Sequence, residues 1–157
     1  MKQATLCFVV QDSSILLGFK KRGFGQGKYN GFGGKVEADE STEDAVIREL
    51  YEEAGIRVQK DSLVKAAELT FYFSAKEQWN QVVHVYLVRK WENAPMESEE
   101  MSPRWFAFSD IPYTQMWKDD SYWLPQILAG KKVQGTFTFA VDNETIQDYQ
   151  LEDYPYI

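Results

Sequence analysis

The sequence predicts an α+β fold in which a mixed β-sheet is flanked by helices. Strand-like segments outnumber helical ones, a long amphipathic helix interrupts them early, and a shorter helix comes late. The chain has 157 residues, of which 44% are hydrophobic and 15% aromatic, which is enough for one core and too apolar for disorder. We therefore expect a single packed domain over residues 1–157.

Short apolar segments bounded by polar turns predict the strands. They fall at residues 4–10, 14–19, 63–74, 82–88, 104–108, 133–141 and 145–151. The last two segments flank Asp142 and Asn143, a pattern that predicts a closing hairpin. The late, shorter helix is expected at 121–129, ending at Gly130.

The segment 23–34 predicts a loop that approaches another part of the molecule closely, because it holds six glycines in twelve residues. Around it, residues 13–36 contain no acid but five basic side chains, namely Lys20, Lys21, Arg22, Lys28 and Lys35. In a chain with a net charge of −7, such a local basic stretch suits a bound polyanion. The alternative for residues 20–22 is a solvated strand end.

A capping-box-like start at Ser41 and a stop at Gly55 predict the long helix. Its face away from the glutamates is apolar and suited to the core, and it is formed by Val46, Ile47, Leu50 and Ala54. The other face is acidic, so the helix is expected to carry a site on the side that faces away from the core.

The acidic face of this helix predicts a divalent-metal site. Glu49, Glu52 and Glu53 stand at i, i+3 and i+4, and Glu40 stands at the helix start. Like charges at i, i+4 cost about 0.2–0.5 kcal/mol on a bare helix. No lysine lies within four residues of the three glutamates to offset that repulsion. Clustered hard oxygen ligands suit Mg²⁺ or Mn²⁺, whereas the alternative for such a charge run is solvated surface.

Composition argues against several other classes of function. A net charge of −7 disfavours duplex nucleic-acid binding, and no apolar run approaches the roughly 18 residues that span a bilayer. Cys7 and His84 are the only residues of their kinds, which argues against a zinc site or an internal disulfide and fits a reducing cytosol. Cys7 is expected in the core, and His84 as a packed or hydrogen-bonded strand residue.

The segment from Gly34 to Ile56 carries a family resemblance. Its spacing is Gly34, five residues, Glu40, seven residues, Arg48-Glu49-Leu50, one residue, Glu52-Glu53, one residue, Gly55-Ile56. With every fixed position filled, the segment resembles the box of the Nudix family. The resemblance implies the Nudix fold, a mixed sheet between helices with the box as loop–helix–loop. It also implies hydrolysis of a nucleoside diphosphate linked to another group.

The resemblance further implies roles for these residues. Glu52 and Glu53 would be the chief metal ligands, Glu49 a ligand or the general base, and Arg48 an ion-pairing residue that orients a glutamate. The implied metal ligands are Gly33, through its carbonyl, and Glu49, Glu52, Glu53 and Glu100. The metal would be Mg²⁺, with Mn²⁺ as a substitute, and the identity of the general base stays open.

The similarity extends over nearly the whole chain to the branch of the family that hydrolyses oxidised purine nucleoside triphosphates. It is carried by residues 20–25, 29–36, 99–101 and 116–123, and by Phe137, Phe139, Asp148 and Tyr149. It implies hydrolysis of 8-oxo-dGTP and 2-hydroxy-dATP to the monophosphate and pyrophosphate, which sanitises the nucleotide pool and prevents DNA damage. The segment 74–81 departs from the family's pattern, so the lid of the pocket is not predicted.

Position by position, Asn30, Asp119 and Asp120 would bind the edge of the base, and Trp117 would stack on the purine. Lys20 would lie near the bound nucleotide. The other residues that the resemblance implies at the substrate are Thr5, Phe32, Gly33, Gly34, Lys35, Phe71, Phe73, Met101, Trp123 and Phe139.

Asp119 and Asp120 are informative by themselves. Two adjacent carboxylates beside indoles predict a surface turn, the N-cap of the following helix, or a pair that faces a dry pocket. In the third arrangement, burial and like-charge repulsion would raise one pKa. A neutral carboxyl group donates a hydrogen bond where a carboxylate only accepts, so moving one proton would let one pocket read two purine edges.

Two alternative functions stay open. One is a Nudix hydrolase of another nucleotide, such as a methylated purine triphosphate, a dinucleoside polyphosphate or a capped RNA end. The other is a non-catalytic nucleotide sensor, which the complete set of box glutamates disfavours. In each case the partner is a small-molecule nucleotide and neither duplex nucleic acid nor a membrane. We expect a monomeric, cytoplasmic protein.

Overall fold

One mixed β-sheet of eight strands organises the chain in a computed structural model that describes residues 1–157. The strands are β1 Lys2–Gln11, β2 Ser14–Lys20, β3 Tyr29–Asn30, β4 Leu63–Phe73, β5 Gln81–Val88, β6 Met101–Ala107, β7 Val133–Phe139 and β8 Ile146–Asp153. The helices are α1 Thr42–Ala54 and α2 Asp120–Leu128, and short 3-10 turns occur at Lys60–Ser62, Glu77–Trp79, Phe108–Asp110 and Tyr113–Gln115. Every predicted strand and both predicted helices are present, with modest shifts at their ends.

The sheet is mixed because it contains both parallel and antiparallel pairs of strands. The strand order is β3-β2-β1-β5-β4-β7-β8, and β6 pairs with β2. β1 runs parallel to β5 and β4 parallel to β7, whereas the other neighbours are antiparallel. The predicted fold class is therefore confirmed. No helix is long and apolar enough to cross a membrane.

Alternate residues of β1 divide the core between the two faces of the sheet. Cys7 and Val9 pack in the cluster that includes the apolar residues of α1. Phe8 and Val10 pack in the cluster that includes Trp123 and other residues of α2. The helices consequently lie on opposite faces of the sheet. Full burial raises the pKa of the Cys7 thiol to about 12, as expected for a core cysteine.

Both predicted ends of α1 are confirmed by their capping geometry. The hydroxyl of Ser41 accepts a hydrogen bond of 3.1 Å from the backbone N–H of Asp44. Gly55 has a φ of 69°, and its N–H donates to the carbonyl of Tyr51. These caps fix the helix register and hence the direction of its glutamates.

Strand β6 begins at Met101, three residues before the predicted start at Arg104. Pro103 lies within it and lacks the N–H that a central strand would need. Because β6 pairs on one side only, with β2, it accommodates this proline at the edge of the sheet.

His84 is a hydrogen-bonded strand residue, as predicted. Its Nε2 lies 2.7 Å from the side-chain oxygen of Gln3, and its Nδ1 lies 2.9 Å from Nζ of Lys65 and 3.3 Å from Glu68. Burial lowers the pKa of His84, and the neighbouring Lys65 lowers it further. His84 therefore belongs to the polar packing of the sheet.

Candidate active site

Two adjoining cavities share Lys20, Gly33 and Gly34 on their walls. The main cavity encloses about 320 Å³. Its predicted lining residues are Thr5, Lys20, Asn30, Gly33, Gly34, Lys35, Phe71, Phe73, Met101, Trp117, Asp119, Asp120, Trp123 and Phe139. The acidic cavity has no hydrophobic lining and is formed by Lys20, Arg22, Gly33, Gly34, Glu49, Glu52, Glu53, Ser98, Glu99 and Glu100. Nearly all of the predicted site residues are thus brought together.

Phe32 is the exception among the predicted substrate residues, because it lines neither cavity. Its side chain is fully buried in the core cluster beneath α1. Its backbone exchanges hydrogen bonds with Cys7, and directly opposed residues of an antiparallel pair project to the same face. Since Cys7 faces α1, Phe32 does too. Phe32 supports the loop from the core, and its prediction as a nucleotide contact is corrected.

Glu53 is the most buried carboxylate of the acidic cavity, at 3% exposure. The backbone N–H of Gly33 donates to its Oε1 at 2.9 Å, and Nζ of Lys20 lies 3.9 Å from its Oε2. Burial, followed by the charge of Glu49, raises the pKa of Glu53 to about 8. Ionised Glu53 would place a negative charge where little water can solvate it, and for this reason the carboxyl group holds its proton tightly.

Arg48 orients the glutamates around it through charge-assisted hydrogen bonds. Its guanidinium donates two hydrogen bonds, of 2.8 and 3.0 Å, to the carboxylate of Glu40 and one of 2.9 Å to Glu49. A longer contact of 3.5 Å reaches the more exposed Glu52. The bond from Arg48 holds the pKa of Glu40 below its usual range. Glu40 thus anchors Arg48, and Arg48 fixes Glu49.

The loop that meets these glutamates approaches its neighbours closely at two glycines, and at Gly33 it has room for no other residue. A Cβ at Gly33 would lie 1.9 Å from the carbonyl oxygen of Thr5, and a Cβ at Gly34 would lie 2.7 Å from Oε1 of Glu49. No backbone N–H donates to the carbonyl of Gly33. The close approach predicted for the glycine-rich segment is confirmed, and it leaves the Gly33 carbonyl free to act as a ligand.

The acidic cavity fits a divalent cation by its chemistry. Its donors are carboxylates and a backbone carbonyl, which Mg²⁺ and Mn²⁺ prefer, and repulsion between Glu49 and Glu53 would be relieved by a cation. No three acidic, histidine or cysteine side chains stand in a ready-made ligand geometry. Arg48 and Lys20 hold Glu49, Glu53 and Glu100 instead.

At the other end of the main cavity, Asp119 and Asp120 form a buried carboxyl pair, at 3% and 2% exposure. Asp119 occupies the N-cap position of α2 but makes no capping bond. Its Oδ2 instead accepts a hydrogen bond of 2.8 Å from the indole N–H of Trp123. Of the three arrangements open to the sequence, the structure has the buried pair.

Burial raises the pKa of both carboxyl groups, and the charge of Asp119 raises that of Asp120 further. Oδ2 of Asp120 is buried without a hydrogen-bond donor, so nothing stabilises a negative charge there. Asp119 has the indole donor of Trp123. Asp120 is consequently the member of the pair that holds a proton.

Aromatic side chains that the sequence did not single out close the main cavity. Phe24 stacks on Trp117 with ring centroids 5.1 Å apart and meets Trp79 edge-on at 4.9 Å. Lys2 and Gln81, which are register partners on β1 and β5, also line the cavity. Trp79 and Gln81 lie at the end of the segment whose sequence departs from the family. The glycines flanking Phe24 and the resemblance of residues 20–25 pointed to that loop, but neither singled out the Phe24 ring.

Comparison with known proteins agrees with this geometry. A family model described as NUDIX domain matches residues 1–127. The chain is 45% identical over 149 residues to a mouse (Mus musculus) protein named oxidized purine nucleoside triphosphate hydrolase, which covers 95% of this chain and 93% of the mouse chain. A zebrafish (Danio rerio) protein of the same name is 43% identical over 152 residues, covering 97% and 95%.

A solved structure extends the agreement to the fold. The crystal structure of the MutT protein from Bacillus halodurans aligns with a TM-score of 0.84 at 24% identity, over 97% of this chain and 98% of that one. Members of the matched family generally use divalent metal ions, which carboxylate and carbonyl oxygens such as those of the acidic cavity suit. The family match, the mammalian and fish relatives and the assembled glutamates lead to one conclusion: this chain belongs to the Nudix hydrolase family.

Proposed function

We propose that this protein hydrolyses oxidised purine nucleoside triphosphates, with 8-oxo-dGTP and 2-hydroxy-dATP as substrates, to the nucleoside monophosphate and pyrophosphate. The observation that carries the proposal is the buried pair Asp119–Asp120 in a cavity that adjoins the cluster of glutamates. The pair suits the polar edge of a purine, and the glutamates suit a metal-bound triphosphate. The names of the mouse and zebrafish relatives support the same substrate class.

The residues that would hold Mg²⁺ are Glu49, Glu52, Glu53, Glu100 and the carbonyl of Gly33. Mn²⁺ suits the same oxygen ligands. When bound, the metal supplies charge neutralisation at the phosphate oxygens and a more acidic water. The buried Glu53 would stay ionised at neutral pH when a cation lies beside it, since a neighbouring positive charge lowers the pKa that burial and the charge of Glu49 raise.

The proton of the attacking water would pass to a carboxylate of α1. Glu49 and Glu53 are the candidates, because both are withdrawn from water, whereas the side chain of Glu52 is 55% exposed. Arg48 acts as a positioning residue through its bond to Glu49. Lys20, on the wall shared by both cavities, would offset the charge of the phosphates.

Recognition of the base would depend on the single proton of the carboxyl pair. With Asp120 neutral and Asp119 ionised, the pair offers both a donor and acceptors to the ligand. Transfer of that proton within the pair would exchange donor and acceptor positions without a proton from solvent, because the two buried carboxyl groups are adjacent. The same cavity could then read the different edges of oxidised guanine and 2-hydroxyadenine, with Asn30 as a further partner and Trp117 as the stacking surface.

The experiment that tests this proposal is pyrophosphate release from 8-oxo-dGTP against dGTP, with and without Mg²⁺. We expect turnover only with the metal and a strong preference for the oxidised base. Metal-dependent turnover without that preference would move the substrate to another nucleotide, such as a methylated purine triphosphate, a dinucleoside polyphosphate or a capped RNA end. Nucleotide binding without turnover in the wild type, and the same in Glu53→Gln, would instead indicate a sensor.

We also propose that the protein acts as a monomer in the cytoplasm. Nearly all of the substrate and metal residues that the sequence predicts come together within one chain, which supports a monomeric site. The one cysteine is buried in the core, which suits a reducing compartment.

A further inference from the structure

Lys20 stands at the junction of the two cavities and contacts two acids of the acidic one. Its Nζ lies 3.1 Å from Oε2 of Glu100 and 3.9 Å from Oε2 of Glu53. Its side chain is 19% exposed and also lines the main cavity. A single ammonium group is therefore within reach both of the glutamates and of any ligand in the main cavity.

Lys20 is the only ion-pair partner of Glu53. Two arginines also lie near the acidic cavity, but neither pairs with Glu53: Arg22 pairs with Glu99, and Arg48 pairs with Glu40, Glu49 and Glu52. The charge of Lys20 opposes the burial that raises the pKa of Glu53. The ammonium group thus stands beside a proposed metal-binding carboxylate and compensates part of the charge that a divalent cation would compensate.

The backbone around Lys20 is fixed, so that only its side chain is free to change position. The backbone N–H of Lys20 donates to Lys28 at 2.9 Å, and its carbonyl accepts from Gly27 at 2.8 Å. The next residue, Lys21, donates its N–H to the carbonyl of Glu100 at 2.8 Å. A lysine side chain has a flexible four-carbon stem, so its ammonium group can move from one cavity to the other while the backbone at the end of β2 stays in place.

We propose that Lys20 is an exchangeable counter-ion that couples metal binding to nucleotide binding. In the metal-free protein its ammonium group pairs with Glu53 and Glu100. When a divalent cation binds these glutamates, Lys20 is released towards the phosphates of a nucleotide in the main cavity. This inference rests on the metal-dependent chemistry of the proposed function, and it makes Lys20 a positioning residue for both ligands.

The exchange has two consequences of opposite sign. Removing the ammonium group removes a competitor of the metal, so metal binding to the nucleotide-free protein becomes tighter. The same change removes a phosphate partner, so nucleotide binding becomes weaker. Because coupling between two ligands is reciprocal, the factor by which a nucleotide strengthens metal binding must also shrink. A lysine with a purely structural role would weaken both binding events.

The experiment is a titration of the nucleotide-free protein with Mn²⁺. The concentration of free Mn²⁺ is measured at each step by its electron paramagnetic resonance signal. Wild type is compared with Lys20→Met, Lys20→Arg and the control Lys21→Met, whose lysine pairs with Glu97 and does not contact Glu53. We expect Lys20→Met to bind Mn²⁺ about 5-fold or more tightly than wild type. Lys20→Arg and Lys21→Met should stay near wild type.

The titration is repeated in the presence of dGMP and of 8-oxo-dGMP. The ratio of the Mn²⁺ affinities with and without nucleotide gives the coupling factor, which we expect to be smaller in Lys20→Met than in wild type. Unchanged or weaker Mn²⁺ binding by folded Lys20→Met would overturn the proposal. If Lys20→Met does not fold, Lys20→Gln removes the charge while keeping a polar end and decides in the same way. The titration without nucleotide does not depend on which base the protein recognises. It therefore tests the role of Lys20 even if the proposed substrate is wrong.

Discussion

The indole N–H of Trp123 donates a 2.8 Å hydrogen bond to Oδ2 of Asp119, which occupies the N-cap position of α2 four residues earlier. Both side chains are buried, at 1% and 3% exposure. A hydrogen bond to a buried carboxylate stabilises its charged form and opposes the desolvation that raises its pKa. The bond therefore determines which of the two adjacent carboxyl groups stays ionised.

Replacing Trp123 by Phe keeps an aromatic ring in the core but removes this donor. Without this donor, we expect Asp119 to be no longer the carboxyl group that ionises more readily. The value of kcat/KM for 8-oxo-dGTP should then fall roughly 10-fold or more, as for loss of a hydrogen bond to a charged group. The measurement is steady-state kinetics together with thermal unfolding. An unchanged preference for the oxidised base in a variant of wild-type Tm would contradict the role assigned to Trp123.

Replacing either member of the carboxyl pair by asparagine should affect the two proposed substrates unequally. In Asp120→Asn the amide donates permanently to Asp119, so the exchange of donor and acceptor is blocked. We expect the ratio of kcat/KM values for 8-oxo-dGTP and 2-hydroxy-dATP to change about 10-fold in Asp120→Asn, and differently in Asp119→Asn. The exposed Asp61 provides the matched control, Asp61→Asn. Small, equal effects at all three positions would refute proton exchange.

The stability of the metal-free protein should fall as pH rises from about 4.5 to 8. The folded-state pKa of Glu53 is raised to about 8, so the folded state binds the proton more tightly than the unfolded chain across this range. The stabilising contribution is complete below the unfolded pKa and is lost as pH rises through the folded one. Glu53→Gln lacks this titration, so its Tm should decline less than that of wild type.

The measurement for Glu53 is thermal unfolding between pH 5 and 8.5 in EDTA, repeated with Mg²⁺. Each kcal/mol recovered corresponds to roughly 2–4 °C in Tm for a domain of this size. Mg²⁺ should restore stability to wild type at pH 8 and have little effect on Glu53→Gln. Asp119 and Asp120 contribute in the same direction but are present in both proteins. If the Tm of wild type and the Tm of Glu53→Gln declined equally with pH, Glu53 would not be the source of the pH dependence.

Gly34→Ala should damage the site more than the fold. The added methyl group would lie 2.7 Å from Oε1 of Glu49, whose carboxylate would have to move. We expect kcat/KM to fall about 10-fold or more with a modest change in Tm. Gly27→Ala is the control: its methyl group meets nothing within 4 Å, but its φ of +86° is strained for alanine. Gly27→Ala should lose stability and keep its kcat/KM. If Gly34→Ala lost stability but kept its kcat/KM, the close approach of Gly34 to Glu49 would not matter for catalysis.

Local patterns made α1 and its acidic face predictable from the sequence. Helical spacing, the cap at Ser41 and the stop at Gly55 all act within one element, so the directions of Glu49 and Glu53 follow from the register. The partners of these glutamates were less accessible. Lys20 meets Glu100 across 80 positions of sequence, a contact that only the pairing of β2 with β6 establishes.

The remaining misses have the same origin in tertiary contacts. Phe32 follows Gly31, which lines the main cavity, and strand-like alternation turns Phe32 to the opposite face. Phe24 and Trp79 come from loops with no period to indicate a direction. The choice between an N-cap and a buried pair at Asp119 depended on where Trp123 points, which becomes fixed only when α2 packs on the sheet.

The burial of Cys7 bears on the conditions in which this protein would work. The substrates proposed for it arise when cellular oxidants are abundant, and those oxidants attack thiolates at accessible, low-pKa cysteines. The only thiol of this chain is fully buried beneath α1, with a pKa near 12. The chain therefore presents no reactive sulfhydryl to hydrogen peroxide, and its activity should outlast that of thiol-dependent enzymes during oxidative stress.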